Sequence, residues 1–226
     1  MRSSITWGRR AIIWPRFGPY LSSASNPWGE GINIADADSD EVRRYIIDCA
    51  LRWMRDFHAD AAAGRRSRAG GHHRDPTSFE ELAAEPTCLP HTGPSAWSLV
   101  AESDRNDPRL TRAPAVEDGG YGITAQWDDD IHHAIHAAVS GEQQGYYADF
   151  GSMAALAKTL RNGFFHAATH SSFRRRRHGR PLNTAQIPAT RLLAYTCTHD
   201  QVATAPSGTA RRKTSLFGQL ASRPLW

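Results

Sequence analysis

Two acidic residues stand where an enzyme could use them. Glu102 closes on the apolar run 97–101 within Ala-Glu-Ser-Asp (101–104), and Asp200 follows the run 192–198 within Thr-His-Asp-Gln (198–201). A carboxyl group can pass a proton or stabilise positive charge, and positions just past the C-terminal ends of parallel strands are where α/β barrels keep their chemistry. The opposing reading is a solvated acid at a strand end; position, not residue type, favours the first. His132 and His136, four apart on a helical stretch beside Asp128, Asp129 and Asp130, mimic the spacing of metal ligands. Arg174, Arg175, Arg176 and Arg177 could hold phosphate. A short basic loop without interleaved aromatics nevertheless reads as solvated, and the neighbouring Phe173 alone is no stacking platform.

The elements that must position these groups read as βα units. Residues 39–58 form the clearest helix: Val42, Tyr45, Ile46, Cys49, Ala50, Trp53, Met54 and Phe57 recur at three- and four-residue steps. Ser39 is its expected N-cap, with Asp40 and Glu41 on the first turn, where the helix dipole favours negative charge. Because Tyr45, Trp53 and Phe57 follow the helix period, core packing outranks sugar stacking for them. A second helix is expected over 153–161, capped by Ser152, apolar at Met153, Leu156, Ala157 and Leu160, and stopped near Gly163. Brief apolar runs at 97–101, 122–125 and 192–198 read as buried strands. With further helical stretches at 79–85 and 131–139 they predict an α/β fold around a parallel sheet. Residues 1–14, 61–78 and 203–226 show no sustained period and read as loops or tails.

Composition sets the bounds. The chain has 226 residues, 40% of them hydrophobic and 22% charged, enough for a globular domain. No apolar run reaches the roughly 18–20 residues of a membrane span, and residues 1–20 lack the pattern of a secretory signal, which predicts a cytoplasmic protein without a membrane partner. Cys49, Cys88 and Cys197 are three in number, with no Cys-x-x-Cys spacing, and read as ordinary thiols. The net charge of +4 comes in short arginine bursts rather than along one face, so nucleic acid is not the expected partner.

The text before and between the two acids narrows the reading. Arg16-Phe17-Gly18-Pro19-Tyr20, Pro27-Trp28-Gly29-Glu30-Gly31, Asn106-Asp107-Pro108-Arg109, Gln126-Trp127-Asp128-Asp129-Asp130 with His132-His133, and Gly145-Tyr146-Tyr147 with Phe150 together resemble the maltooligosyltrehalose trehalohydrolases of the α-amylase family. The resemblance covers residues 15–60 and 79–202. It implies part of a (β/α)8 barrel, not closed in this chain, from a retaining hydrolase that cuts the α-1,4 bond beside a terminal trehalose unit. Such chemistry needs one carboxyl group to protonate the leaving oxygen and a second, about 5 Å away, as nucleophile. By resemblance Glu102 is the acid and later the base. Asp200 stabilises the charged transition state, His199 donates to the same sugar, and Trp127 is a weaker candidate for substrate contact. The implied partner is a maltooligosyltrehalose-type oligosaccharide. No metal and no organic cofactor is expected, so the His132 and His136 spacing is set aside.

One departure governs the rest. In the family the long helix leads to a strand Gly-Leu-Arg-Leu-Asp-Ala-Val-His, whose Asp is the nucleophile; here Asp60 is followed by Ala-Ala-Ala-Gly-Arg-Arg-Ser-Arg (61–68). Codons for the family strand and the Ala-Leu-Val-Asp-Thr-Thr after it, read two bases late, can, with suitable free bases, translate as every residue of 61–73. The same test turns 1–14 into an out-of-frame Asp-Ala-Val-Phe-Asn-His-Leu-Gly-Pro-Ser-Gly-Asn-Tyr-Leu, and 203–210 into Gly-Asn-Arg-Ala-Val-Gly-Asp-Arg. The expected organisation is therefore an out-of-frame leader at 1–14, barrel text at 15–60 and 79–202, an out-of-frame insert at 61–78 in place of the nucleophile strand, and an out-of-frame tail at 203–226. A decayed gene or base errors would both produce it. The Arg/Gly/His composition of 61–73 then becomes an accident of coding rather than a nucleic-acid or metal signal. An inactive chain, with 61–78 irregular, is expected; the alternative is a remnant that binds carbohydrate, or nucleic acid through its arginines, without catalysis.

Overall fold

The computed structural model describes residues 14–26, 29–59, 61–65, 77–85, 98–114 and 119–198. They divide into two compact units, Met1–Glu102 with Ala113–Thr124, and Ser103–Arg112 with Ala125–Trp226.

In the first unit, Leu21–Asn26 (β1) and Gly29–Ile32 (β2) pair antiparallel, with an irregularity between Leu21 and Ser25. Asn33 then organises the approach to the long helix: its Oδ1 accepts from the Asp36 N–H at 2.9 Å and its Nδ2 donates to the Ala37 carbonyl at 2.9 Å. The helix itself is Asp40–Phe57 (α1), ended by His58 in the left-handed region, φ 53°.

Two expectations for α1 need correcting. Ser39 stands at the N-cap position but has helical backbone angles and no capping hydrogen bond; its Oγ instead accepts from Arg43 Nη1 at 2.8 Å. A serine caps by reaching forward from a non-helical backbone, and Ser39 is already wound into the turn. The buried stripe is also different from the one expected. Val42, Ile47, Leu51 and Met54 are enclosed, whereas Tyr45, Trp53 and Phe57 are half-exposed. At 3.6 residues per turn this rotates the stripe by about a quarter turn. The aliphatic side went to the core and the aromatics remain outside, where Trp53 and Phe57 lie 4.7 Å apart and Arg52 sits over the Phe57 ring. Arg43 and Arg44 face the second helix, Thr77–Ala84 (α2), and the residue after it: Arg43 Nε meets Glu81 at 3.2 Å and Arg44 Nη1 meets Glu85 at 2.5 Å.

Residues 61–78 were expected to be irregular, and in part they are not. Ala61–Arg65 is a strand (β3), and α2 begins at Thr77. β3 pairs parallel with Ser98–Glu102 (β4), in register from Ala61 opposite Ser98 to Arg65 opposite Glu102. A parallel ladder is made of backbone groups, so small residues can occupy it without the β-branched side chains that usually advertise a strand. Leu99 and Ala101 are buried on one side of β4, and the Leu99 N–H is pinned by Thr124 Oγ1 at 3.1 Å.

The second unit's first strand is Ala125–Trp127 (β5), three residues later than the strand expected at 122–125. Gly122 has φ +70°, a left-handed conformation no strand adopts, and a Cβ there would lie 3.3 Å from the Pro114 ring. After β5, Asp128 caps Asp129–Ser140 (α3) by accepting from the Ile131 N–H at 3.2 Å. Ala134 and Ala137 of α3 pack with Phe150, Leu156 and Phe165. Met153–Asn162 (α4) is capped as expected by Ser152, whose Oγ accepts from the Ala155 N–H at 3.1 Å, and it stops at Gly163. Its expected apolar positions are largely outside, however: Met153, Ala157 and Leu160 are exposed, and Ala155 and Thr159 are the buried pair.

A hairpin follows, Thr169–Ser171 (β6) against Arg176–His178 (β7). The strand expected over 192–198 is only Leu192–Leu193 (β8), parallel to Gln126 and Trp127. The ladder ends because its short partner turns into a helix: the Asp128 N–H, donating to the Leu193 carbonyl at 3.1 Å, is its last rung. Among the described residues no sheet closes into a barrel, and no helix is long and apolar enough to cross a membrane. Cys49 and Cys197 are free thiols; Cys88 lies outside the described residues.

Candidate active site

Glu102 is the last residue of β4. Alternation along the strand turns Leu99 and Ala101 inward and leaves Ser98, Val100 and Glu102 half-buried on the other side. Its parallel-strand neighbour at the same level is Arg65, with Gly64 opposite Ala101. Asp200 and His199 lie outside the described residues, as does Trp97 at the start of the expected strand.

Trp127 ends β5 in the second unit. Its ring meets Tyr195 edge-on at 4.8 Å, and Tyr195 in turn stacks flat on His132 at 4.7 Å and donates to Asp129 Oδ1 at 2.6 Å. Trp127 is therefore one member of an aromatic stack rather than an isolated platform. His132 and His136 are both buried, their rings 5.9 Å apart; His136 Nε2 is 2.8 Å from Glu142, and its ring stacks on Tyr147 at 4.2 Å. Among the described residues no group of three or more His, Cys, Asp or Glu side chains is arranged to hold a metal ion.

The second unit also contains a cavity that spacing in the sequence does not reveal. Asp104, His133, His166, Arg174 and His178 line it, and Tyr146 and Phe173 form its aromatic rim. Arg174 was expected to be solvated, but it is largely enclosed and donates to Asp104 Oδ2 at 2.6 Å. Arg175, Arg176 and Arg177 do remain exposed, and Phe173 meets Tyr146 edge-on at 5.7 Å. His178 Nε2 donates to the Asp104 carbonyl at 2.8 Å.

Burial keeps these imidazoles neutral. It drives His133 down to about 3, helped by nearby His132 and Arg174, and His178 down to about 4, helped by Arg174. His166 is also lowered, by burial, against the opposing pull of Asp130 and Asp149. Neutral imidazoles, one ion pair and an aromatic rim can hydrogen-bond and stack against an uncharged polar solute.

Asp130 holds this unit together from below. Its Oδ2 accepts from Asn106 Nδ2 at 2.7 Å and from the Phe165 and His166 N–H groups at 2.9 Å each. One buried carboxyl group thereby joins the loop after β4, the start of α3 and the turn before β6. Gly179 sits so close to this knot that a Cβ there would come 1.9 Å from the His166 carbonyl oxygen. Of these groups, His166 and His178 have no partner at a telling spacing along the chain. The signal that could have found them is contact, not order.

No family model matches the chain. A malto-oligosyltrehalose trehalohydrolase of Mycobacterium tuberculosis is 67% identical over 210 residues, covering 92% of this chain and 35% of that protein. One from Arthrobacter ramosus is 53% identical over 192 residues, covering 83% and 32%. A crystal structure of a protein assigned as an α-amylase, from Salmonella typhimurium, superposes with a TM-score of 0.67 at 30% identity, covering 81% of this chain and 31% of that one. The chain thus spans about a third of the length of the curated relatives it matches.

Proposed function

We infer, since this chain belongs to the malto-oligosyltrehalose trehalohydrolase family, that it represents the middle of the catalytic barrel of a retaining glycoside hydrolase and that, as it stands, it does not hydrolyse. In that reading the whole protein cleaves the α-1,4 bond next to the terminal trehalose unit of a malto-oligosyltrehalose. Glu102 protonates the leaving oxygen and then activates water for the second step. Asp200 stabilises the oxocarbenium-like transition state, with His199 donating to the same sugar, and Trp127 is the weaker candidate for substrate contact.

The observation that carries the inactivity is the register of β3 on β4. A retaining mechanism needs a second carboxyl group about 5 Å from the first, to form the glycosyl-enzyme intermediate. The strand next to Glu102 instead ends Ala63-Gly64-Arg65, with Arg65 its level partner. A guanidinium has no lone pair to attack an anomeric carbon, and Asp200 already has a separate role. The out-of-frame origin of residues 1–14, 61–78 and 203–226 is part of this proposal and accounts for why the strand is there without its nucleophile.

The test compares trehalose release from malto-oligosyltrehalose by this chain and by a repaired chain. The repair carries Gly-Leu-Arg-Leu-Asp-Ala-Val-His in place of the 61–68 text, the in-frame outer motifs and the rest of the barrel. The repaired chain is expected to turn over several orders of magnitude faster, and its Glu102→Gln variant to return to background. Turnover by the unrepaired chain that its own Glu102→Gln change abolishes would sink the proposal. A second reading is carbohydrate binding without hydrolysis. In the same samples it requires maltotriose binding that is insensitive to salt, as binding to phosphate is not.

A further inference from the structure

The buried side of β5 carries polar atoms for which neither the fold nor the proposed chemistry has a use. Gln126 is fully enclosed, and among the described residues neither its Oε1 nor its Nε2 has a hydrogen-bond partner. Two residues on, Asp128 is enclosed to the same degree. Its Oδ1 caps α3 through the Ile131 N–H, while its Oδ2 has no partner among the described residues. Residues two apart along extended backbone share a face. Trp127, between them, occupies the other face against Tyr195. One carboxamide and one carboxyl edge are therefore presented together to the interior, and buried groups of this kind are normally satisfied by protein or by ordered water.

We propose that Gln126 and Asp128 together bind an ordered water molecule at β5, through the Gln126 carboxamide and Asp128 Oδ2. The set of atoms fits a water and little else. Gln126 offers an acceptor and two donor hydrogens, Asp128 one donor, and a buried water takes two to four such partners. A cation is disfavoured, because among the described residues no three His, Cys, Asp or Glu side chains are grouped to hold one. A sugar hydroxyl is disfavoured, because both side chains are closed to solvent.

The charges around Asp128 agree with the neutral form. Asp129 and Asp130 follow it on the first turn of α3, and Asp130 is itself held by Asn106 and the Phe165 and His166 N–H groups. On the segment after β8, Tyr195 is engaged with Asp129. Burial first, and these neighbouring acids next, push the Asp128 carboxyl up to about 8 against the pull of the capping N–H groups. The site is independent of the hydrolase reading and would stand if that reading failed.

Water-to-protein NOE spectroscopy on the 15N-labelled chain tests it directly. The Gln126 side-chain amide protons should contact a long-lived water, and that contact should survive Asp128→Asn, which keeps a donor at the same place. Gln126→Met should raise the unfolding constant about tenfold, the effect of losing one good hydrogen bond. Asp128 is protonated in the folded chain but ionised in the unfolded one between its ordinary value near 4 and about 8. The folded form therefore loses stability as pH rises through that window, and from pH 6.5 to 8 the unfolding constant of the parent should rise close to tenfold per pH unit at its steepest. Asp128→Asn should flatten that slope. Absence of the water contact in the parent chain would overturn the proposal. So would a Gln126→Met variant more stable than the parent, since that is the signature of an amide buried with no partner at all.

Discussion

β3 and the Asp130 knot hold the chain in opposite ways. β3 reads Ala-Ala-Ala-Gly-Arg and keeps its register against β4 in a parallel backbone ladder. The knot depends on one particular side chain accepting three hydrogen bonds from segments far apart in sequence. The difference teaches that an element and a site fail separately. A strand can form in text without an alternating apolar pattern, because the ladder uses atoms every residue except proline supplies in full. A nucleophile or a buried knot cannot, because its function lies in side-chain atoms.

The sharpest way to break that contrast is Asp130→Ala. It removes the acceptor of three hydrogen bonds, leaving Asn106 Nδ2 only the His166 carbonyl, and the cost should be about 3–5 kcal/mol of stability in the second unit, read as a fall in denaturant midpoint. A loss below about 1 kcal/mol would mean the knot is no more particular than the strand.

Acid comes next. His133 and His178 have folded pKa values of about 3 and about 4, against an ordinary value of 6.5. Depressed imidazoles leave the folded form binding fewer protons than the unfolded one. Their contribution is complete above about pH 6.5 and is lost as pH falls toward 4 and below. A loss on the order of 2 kcal/mol between pH 6.5 and 4, confined to the second unit, is expected from pH-dependent denaturation followed by amide hydrogen exchange. His178→Gln should shrink it. Equal acid loss in both units would detach the effect from the histidine-lined cavity.

The smallest effect compares two serines at helix starts. Ser152→Ala removes the α4 cap and should cost about 1 kcal/mol, whereas Ser39→Ala removes no cap and should cost about 0.5 kcal/mol or less, since Arg43 keeps other acceptors at Asp40, Glu81 and Ile34. Thermal denaturation of the two variants orders them, and a larger loss at Ser39 would reverse the assignment.

The residue order alone carried a good deal. The helical period marked α1, α2, α3 and α4 to within two residues. The stop at Gly163 and the cap at Ser152 were legible because both act through the neighbouring turn. Glu102 was legible as a strand-end acid, and the motifs around it identified the family. These are local signals, written in residues that are near each other along the chain.

Which side of a helix is buried was not decided locally. α1 has an aliphatic arc and an aromatic arc that overlap, and only the tertiary packing chose Val42, Ile47, Leu51 and Met54 over Tyr45, Trp53 and Phe57. β3 was illegible because a backbone ladder leaves no mark in side-chain pattern, and β5 was displaced because Gly122 takes a left-handed turn. Arg174 looked solvated until Asp104, seventy residues away, was brought against it. Types and short spacings, then, determined the elements and the family. Burial, pairing and the neutral state of the inner histidines were decided only by the fold, because each depends on contacts between residues that the chain order keeps apart.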